Sequence, residues 1–143
     1  MSKTFADLIA RVNDCGMKTV SVAVAQDSAV LEAVVAAKER KIANAILVGD
    51  EKKIREIADS LKMDLSGFEI INVEDMAEAA HTAVNLVHEG RADMYMKGLI
   101  DTKGFLKSVL DKEVGLRTGK PLSHVCVFEV EGIDRLLFLT DVA

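Results

Sequence analysis

Hydrophobic and polar positions along this chain switch repeatedly between a period near two and a period near 3.6, and the switches mark its elements. Residues 3–14 place Phe5, Leu8, Ile9 and Val12 on one helical face, with Gly16 as the stop. Residues 19–25 are β-rich and apolar, which predicts a central strand. Asp27 or Ser28 then caps a helix through about Arg40 that buries Val30, Leu31, Val34, Val35 and Ala37. Residues 45–48 predict a second strand, and Asp50 caps a helix marked by Ile54, Ile57, Ala58 and Leu61. Residues 69–73 predict a third strand. Asp75 and Glu78 form a capping-box-like start to a helix through Glu89, stopped by Gly90. A strand over 93–96 and a helix over 102–111 follow, and 125–130 with 135–140 read as a β-hairpin.

Four strand–helix alternations ending in a hairpin predict an α/β fold. The expected form is a three-layer α/β/α sandwich whose mainly parallel sheet has an antiparallel addition. The composition supports it: half of the residues are hydrophobic, with one Tyr, five Phe and no Trp, which suits buried parallel strands under Ala-rich helices. A length of 143 residues fits one domain, and no repeat, linker or low-complexity tract divides it. A net charge of −5 argues against nucleic acid or a membrane surface as partner. The N-terminus lacks an apolar signal core, and no run approaches the ~18 apolar residues of a membrane span, so a cytoplasmic protein is expected. Cys15 and Cys126, far apart and without a CxxC, read as reduced packing residues.

The charge is unevenly spread. Between Lys97 and Lys120 six cations face three carboxylates, a local +3 that leaves −8 on the remainder. Lys103, Lys107 and Lys112 fit the solvated face of a helix, but Lys97 and Arg117 fall in loops. The apolar run Met94-Tyr-Met96 ends in Lys97-Gly98, and Thr102 follows as a helix N-cap candidate. A cation, a glycine that lets backbone approach an oxyanion, and a helix start with unpaired N–H groups together suggest an anion-binding corner. Lys97 also lies at the carboxyl end of a strand, where ligands bind in such sheets. The Gly98 N–H and the Thr102 hydroxyl can add donors to the Lys97 charge. Arg117, in the basic loop 115–121, offers a planar fork for phosphate. Each has a plainer reading too: a solvated lysine, a turn glycine, a helix cap, an exposed loop arginine.

Other signals point nowhere. The loop 115–120 is one residue short of a Walker A motif and has Pro121 where Ser or Thr must ligate magnesium. His81 and His88 lack the acidic or Cys partners of a metal site, so no metal is expected, and no Gly-x-Gly-x-x-Gly occurs.

The motifs Ile46-Leu-Val-Gly-Asp50, Ala92-Asp-Met-Tyr-Met-Lys-Gly-Leu-Ile-Asp-Thr102, Glu113-Val-Gly-Leu-Arg-Thr-Gly-Lys120, Ser123-His-Val125 and Leu139-Thr-Asp141, in that order, resemble the phosphate acetyl/butyryltransferases. Met96-Lys-Gly-Leu-Ile-Asp-Thr102 and Leu116-Arg-Thr-Gly119 resemble the butyryl branch in particular. The resemblance implies a fold like that of the isocitrate/isopropylmalate dehydrogenases, in longer enzymes whose active site lies between two domains. Residues 1–143 would then be the N-terminal α/β domain, with the second domain and the presumed general base outside this chain. The implied reaction transfers a butyryl or other short acyl group between coenzyme A and inorganic phosphate. It has coenzyme A as a substrate and no cofactor, no metal and no acyl-enzyme. On that pattern Lys97 and Arg117 take catalytic roles, Gly98, Thr102 and Asp141 contact substrate across the cleft, and the protein is a homo-oligomer. Acetyl rather than butyryl transfer, and a coenzyme A or phosphate-binding module without chemistry, stand as alternatives. A domain without its partner would expose apolar surface, and self-association is expected.

Overall fold

The computed structural model describes residues 3–141. Met1 and Ser2, which open the stretch read for a signal core, and Val142 and Ala143, at the chain's end, lie outside them. The chain forms two compact units, one of residues 17–117 and one combining the segments up to 16 and from 118.

The larger unit holds β1 (Lys18–Ala23), α1 (Ser28–Glu39), β2 (Ala43–Gly49), α2 (Glu51–Ser60), β3 (Glu69–Asn72), α3 (Met76–His88), β4 (Met94–Lys97) and α4 (Thr102–Val109). Its four strands form one parallel sheet in the order β3-β2-β1-β4. Period-two alternation sends successive side chains to opposite faces, and each face has its own core. Val22, Ala45 and Leu47 meet Leu31 and Val34 of α1 and Ile54 and Ala58 of α2. Ala23, Ile46 and Val48 meet Ala79, Ala80, Ala83 and Leu86 of α3. The alanines let α3 lie close to the sheet, and Ser21, fully buried, satisfies its hydroxyl by donating to the Ala83 carbonyl at 2.7 Å. This is the expected three-layer α/β/α arrangement. Chain direction explains it: α1 and α2 carry the chain from β1 toward β3, whereas α3 returns it past β1, so right-handed crossovers place α3 on the opposite face.

The smaller unit holds a helix, Phe5–Asp14, and an antiparallel pair, Val125–Phe128 with Leu137–Thr140. The pair is a sheet of its own, not an addition to the parallel one. Thr4 and Asp7 form a reciprocal capping box on the helix, yet none of its residues is buried, although its apolar face was legible. Cys15 is exposed rather than packed, because it sits at the helix C-cap, and both cysteines are free. Leu61 likewise is 38% exposed, since α2 ends at Ser60 and Leu61 is only its cap. Among the described residues no helix is long and apolar enough to cross a membrane.

Candidate functional site

The order β3-β2-β1-β4 contains a reversal. The chain steps outward from β1 to β3, then crosses back to place β4 on the other side of β1. In open parallel sheets ligands bind in the crevice at the carboxyl ends of strands at such a switch point, here between β1 and β4. Helices α1 to α4 all begin at this edge, and each is capped by an aspartate: Asp27, Asp50, Asp75 and Asp101. What distinguishes β4 is charge. The loops after β1, β2 and β3 carry no cation, whereas β4 ends on Lys97.

Lys97 is the last residue of β4 and pairs in register with Ala23. It is exposed, and among the described residues it makes no ion pair, so its charge is available to a ligand. The backbone that follows is tightly fixed. Gly98 N–H donates to the Ala23 carbonyl at 2.9 Å, Leu99 N–H to the Val24 carbonyl at 2.7 Å, and Ile100 N–H to the Gly98 carbonyl at 2.9 Å. A Cβ on Gly98 would lie 2.3 Å from the Val24 oxygen and 2.4 Å from the Ala23 oxygen. The glycine is therefore required by the β1 backbone, and its N–H is committed there instead of being offered to an anion.

Val24 itself is fully buried with φ of 59°, a conformation that a β-branched residue adopts only where its surroundings impose it. Here the chain turns out of β1, Ala25 N–H bonds the Val48 carbonyl at 3.0 Å, and the Val24 carbonyl is left facing Leu99.

Thr102 is the first helical residue of α4 rather than its cap. Asp101 takes that position and accepts from Gly104 N–H at 2.7 Å. Thr102 and Lys103 are left as the first-turn donors without intrahelical acceptors. Arg117 lies beyond a loop that folds back on α4 through Leu116 N–H to the Val109 carbonyl, 2.8 Å, and it is exposed. Asp141 belongs to the smaller unit, where its N–H donates to the His124 carbonyl at 2.9 Å and its φ is 54°.

Between α3 and the β4–α4 corner lies a cleft of about 900 Å³. Of the residues singled out from sequence, Lys97 and Gly98 line it; Thr102 and Arg117 do not. Met76, His81, Leu99, Lys107, Ser108 and Asp111 also line it; sequence reasoning gave Lys107 to a solvated helix face, set His81 aside as a metal ligand, and singled out none of the six as a site residue. Ser108, which lines it, is held by Tyr95 behind it: the Tyr95 ring stacks on Phe105 with centroids 4.5 Å apart, and its Oη lies 2.8 Å from Ser108 Oγ and 3.2 Å from the Ala80 carbonyl. Burial pushes the Tyr95 phenol above its ordinary pKa, so it is a neutral strut joining β4, α3 and α4. The Asp111 carboxylate accepts from Val114 and Glu113 N–H, which hold it below the usual carboxylate range, with smaller help from His81 and Lys107. Among the described residues no group of His, Cys, Asp or Glu side chains is arranged to hold a metal ion.

The arrangement has parallels in known proteins. The chain is 59% identical over all 143 residues to proteins named phosphate butyryltransferase from Clostridium beijerinckii and Clostridium acetobutylicum, covering 47% and 48% of their lengths. It thus spans about half the length of the curated relatives it matches. A crystal structure of a branched-chain phosphotransacylase from Enterococcus faecalis V583 aligns with a TM-score of 0.69 at 29% identity, over 87% of this chain and 43% of that one. The family model described as phosphate acetyl/butaryl transferase matches residues 4–82 and 73–143. With both stretches matched, from the first helix to the chain's end, the chain belongs to the phosphate acetyl/butaryl transferase family.

Proposed function

We propose that this chain supplies the phosphate-binding half of a phosphate butyryltransferase, which exchanges a butyryl group between coenzyme A and inorganic phosphate. The observation that carries the reading is Lys97, the one cation among the four strand ends and the loops that follow them, at the switch point just before the start of α4 and lining the cleft. In the reaction a phosphate oxygen attacks the thioester carbonyl, the C–O bond forms, the C–S bond breaks, and the sulfur leaves as thiolate and takes up a proton. Lys97 offsets the charge that otherwise repels phosphate from the developing oxyanion, and the first-turn N–H groups of α4 add to that field. Lys97, Gly98 and Thr102 are not bases at neutral pH, and the role of general base is assigned to the part of such an enzyme outside this chain. Arg117 binds phosphate or a coenzyme A phosphate, Gly98 and Thr102 shape the substrate side of the β4–α4 corner, and Asp141 is assigned a substrate contact within its own unit. The protein acts in the cytoplasm as a homo-oligomer, with coenzyme A as substrate and no cofactor. The butyryl reading is favoured over acetyl transfer by the names of the 59% identical relatives.

The test exchanges these residues for the matching half of the Clostridium beijerinckii relative and assays phosphate-dependent thiol release from butyryl-CoA and acetyl-CoA. Turnover with butyryl-CoA in preference to acetyl-CoA is the expected result. A folded chimera that binds coenzyme A and turns over neither would leave a binding module instead.

A further inference from the structure

The cleft beside Lys97 is far larger than a phosphate requires, and its surplus is apolar. Its volume of about 900 Å³ falls within the ~300–1,000 Å³ range of small-molecule sites. Met76 opens α3 and Leu99 follows Gly98, and both line the cleft while staying 48% and 46% exposed. Singly exposed apolar residues need no explanation, but two of them facing one cleft with an unpaired lysine do. Ala77 and Ala80, the α3 residues beneath them, project only methyl groups, which opens the space between the walls. Leu99 is held in place: its N–H is bonded to Val24, and its neighbour Ile100 packs against the core shared by the sheet and α3. The carboxylates of the lining are already engaged, Asp101 with Gly104 N–H and Asp111 with Glu113 and Val114 N–H. Lys107 lies in the field of the Asp111 carboxylate, whereas Lys97 makes no ion pair among the described residues.

Lys97 beside the apolar side chains of Met76 and Leu99 complements a ligand with an anionic head and a short aliphatic tail. We propose that Met76 and Leu99 are the walls of the acyl-chain subsite, holding the aliphatic tail of an acyl phosphate whose phosphoryl group sits on Lys97. This rests on the phosphate-acyltransferase reading and adds to it the residues that set chain length. Burying one methylene tightens binding by about fourfold, so two extra methylenes predict a preference for butyryl over acetyl of roughly 15-fold.

The experiment is a titration of the isotope-labelled chain followed by backbone and methyl NMR, with inorganic phosphate, acetylphosphonate and butyrylphosphonate, the last two being acyl phosphate analogues that resist hydrolysis. All three are expected to shift Lys97 and Thr102. Butyrylphosphonate alone is expected to shift the Met76 and Leu99 methyl groups as well, and to bind at least tenfold tighter than acetylphosphonate; Met76→Ala and Leu99→Ala each narrow that gap. If butyrylphosphonate shifts Lys97 and leaves Met76 and Leu99 unmoved, the subsite is overturned and the phosphate reading stands. If no compound shifts Lys97, the phosphate reading falls and the subsite with it.

Discussion

Gly98 donates its N–H to Ala23 and leaves no room for a side chain between itself and the Ala23 and Val24 carbonyls. The glycine, and the left-handed Val24 opposite it, seat the loop that carries Leu99 and follows directly on Lys97. Gly98→Ala is therefore expected to cost about 1–3 kcal/mol through forced backbone movement, read from the urea midpoint, and to weaken phosphate binding in proportion. A loss inside the ~0.5 kcal/mol scatter of neutral surface changes would show the seat to be soft. Lys97 was legible in the sequence because a cation closing an apolar strand stands out. The reason for Gly98 was not, since the clash involves a backbone 74 positions earlier in numbering, at Val24. Val24 was less legible still, valine being among the residues least suited to positive φ.

Helix starts tell a similar story one scale up. Asp50 and Asp75 were readable as caps, and Asp27 was one of two candidates, because each precedes an apolar helical period. At α4 two capping residues stand side by side, and sequence pattern cannot choose between Asp101 and Thr102. The fold chooses Asp101, whose carboxylate reaches Gly104 N–H, and so leaves the Thr102 hydroxyl outside the cap. Asp101→Ala should lower stability by about 1 kcal/mol and Thr102→Ala by no more than a few tenths, measured side by side in denaturant. The reverse ranking would restore Thr102 as the cap. The first helix and the antiparallel pair were also legible as elements. Their assembly apart from the parallel sheet was not, because periodicity gives the face that an element buries and not the partner that buries it.

For the molecule as a whole, strand order is the feature that creates the site and the one that sequence carried least. The pattern of apolar periods gives four strands alternating with helices; only the crossover through α3 puts β4 beside β1 and makes the switch point. The same architecture sets the response to acid. Five aspartates are held below their ordinary range by the groups they bond: Asp7 first by Lys3 N–H, Asp50 by the Lys53 side chain, Asp64 by Ser66 N–H, Asp93 by Thr19 N–H and Asp111 by Val114 N–H. A carboxylate with a lowered folded pKa contributes stability that is complete above its unfolded value and is lost as pH falls through the folded one. The melting temperature should accordingly be flat in this respect down to about pH 4.5 and decline below ~3.9. A melting temperature that stays flat to about pH 2.5 would contradict it.

The central claim is that Lys97 holds phosphate at the switch point. Its most direct test is the phosphate dissociation constant of the unmodified chain, of Lys97→Ala and of Lys103→Ala, each from an NMR titration at one ionic strength. Loss of a charged hydrogen-bond donor predicts binding about 10–100-fold weaker for Lys97→Ala, with Lys103→Ala, a solvated helix lysine, within about twofold of the parent. Equal affinity for the parent and Lys97→Ala would contradict the account and move the phosphate site elsewhere.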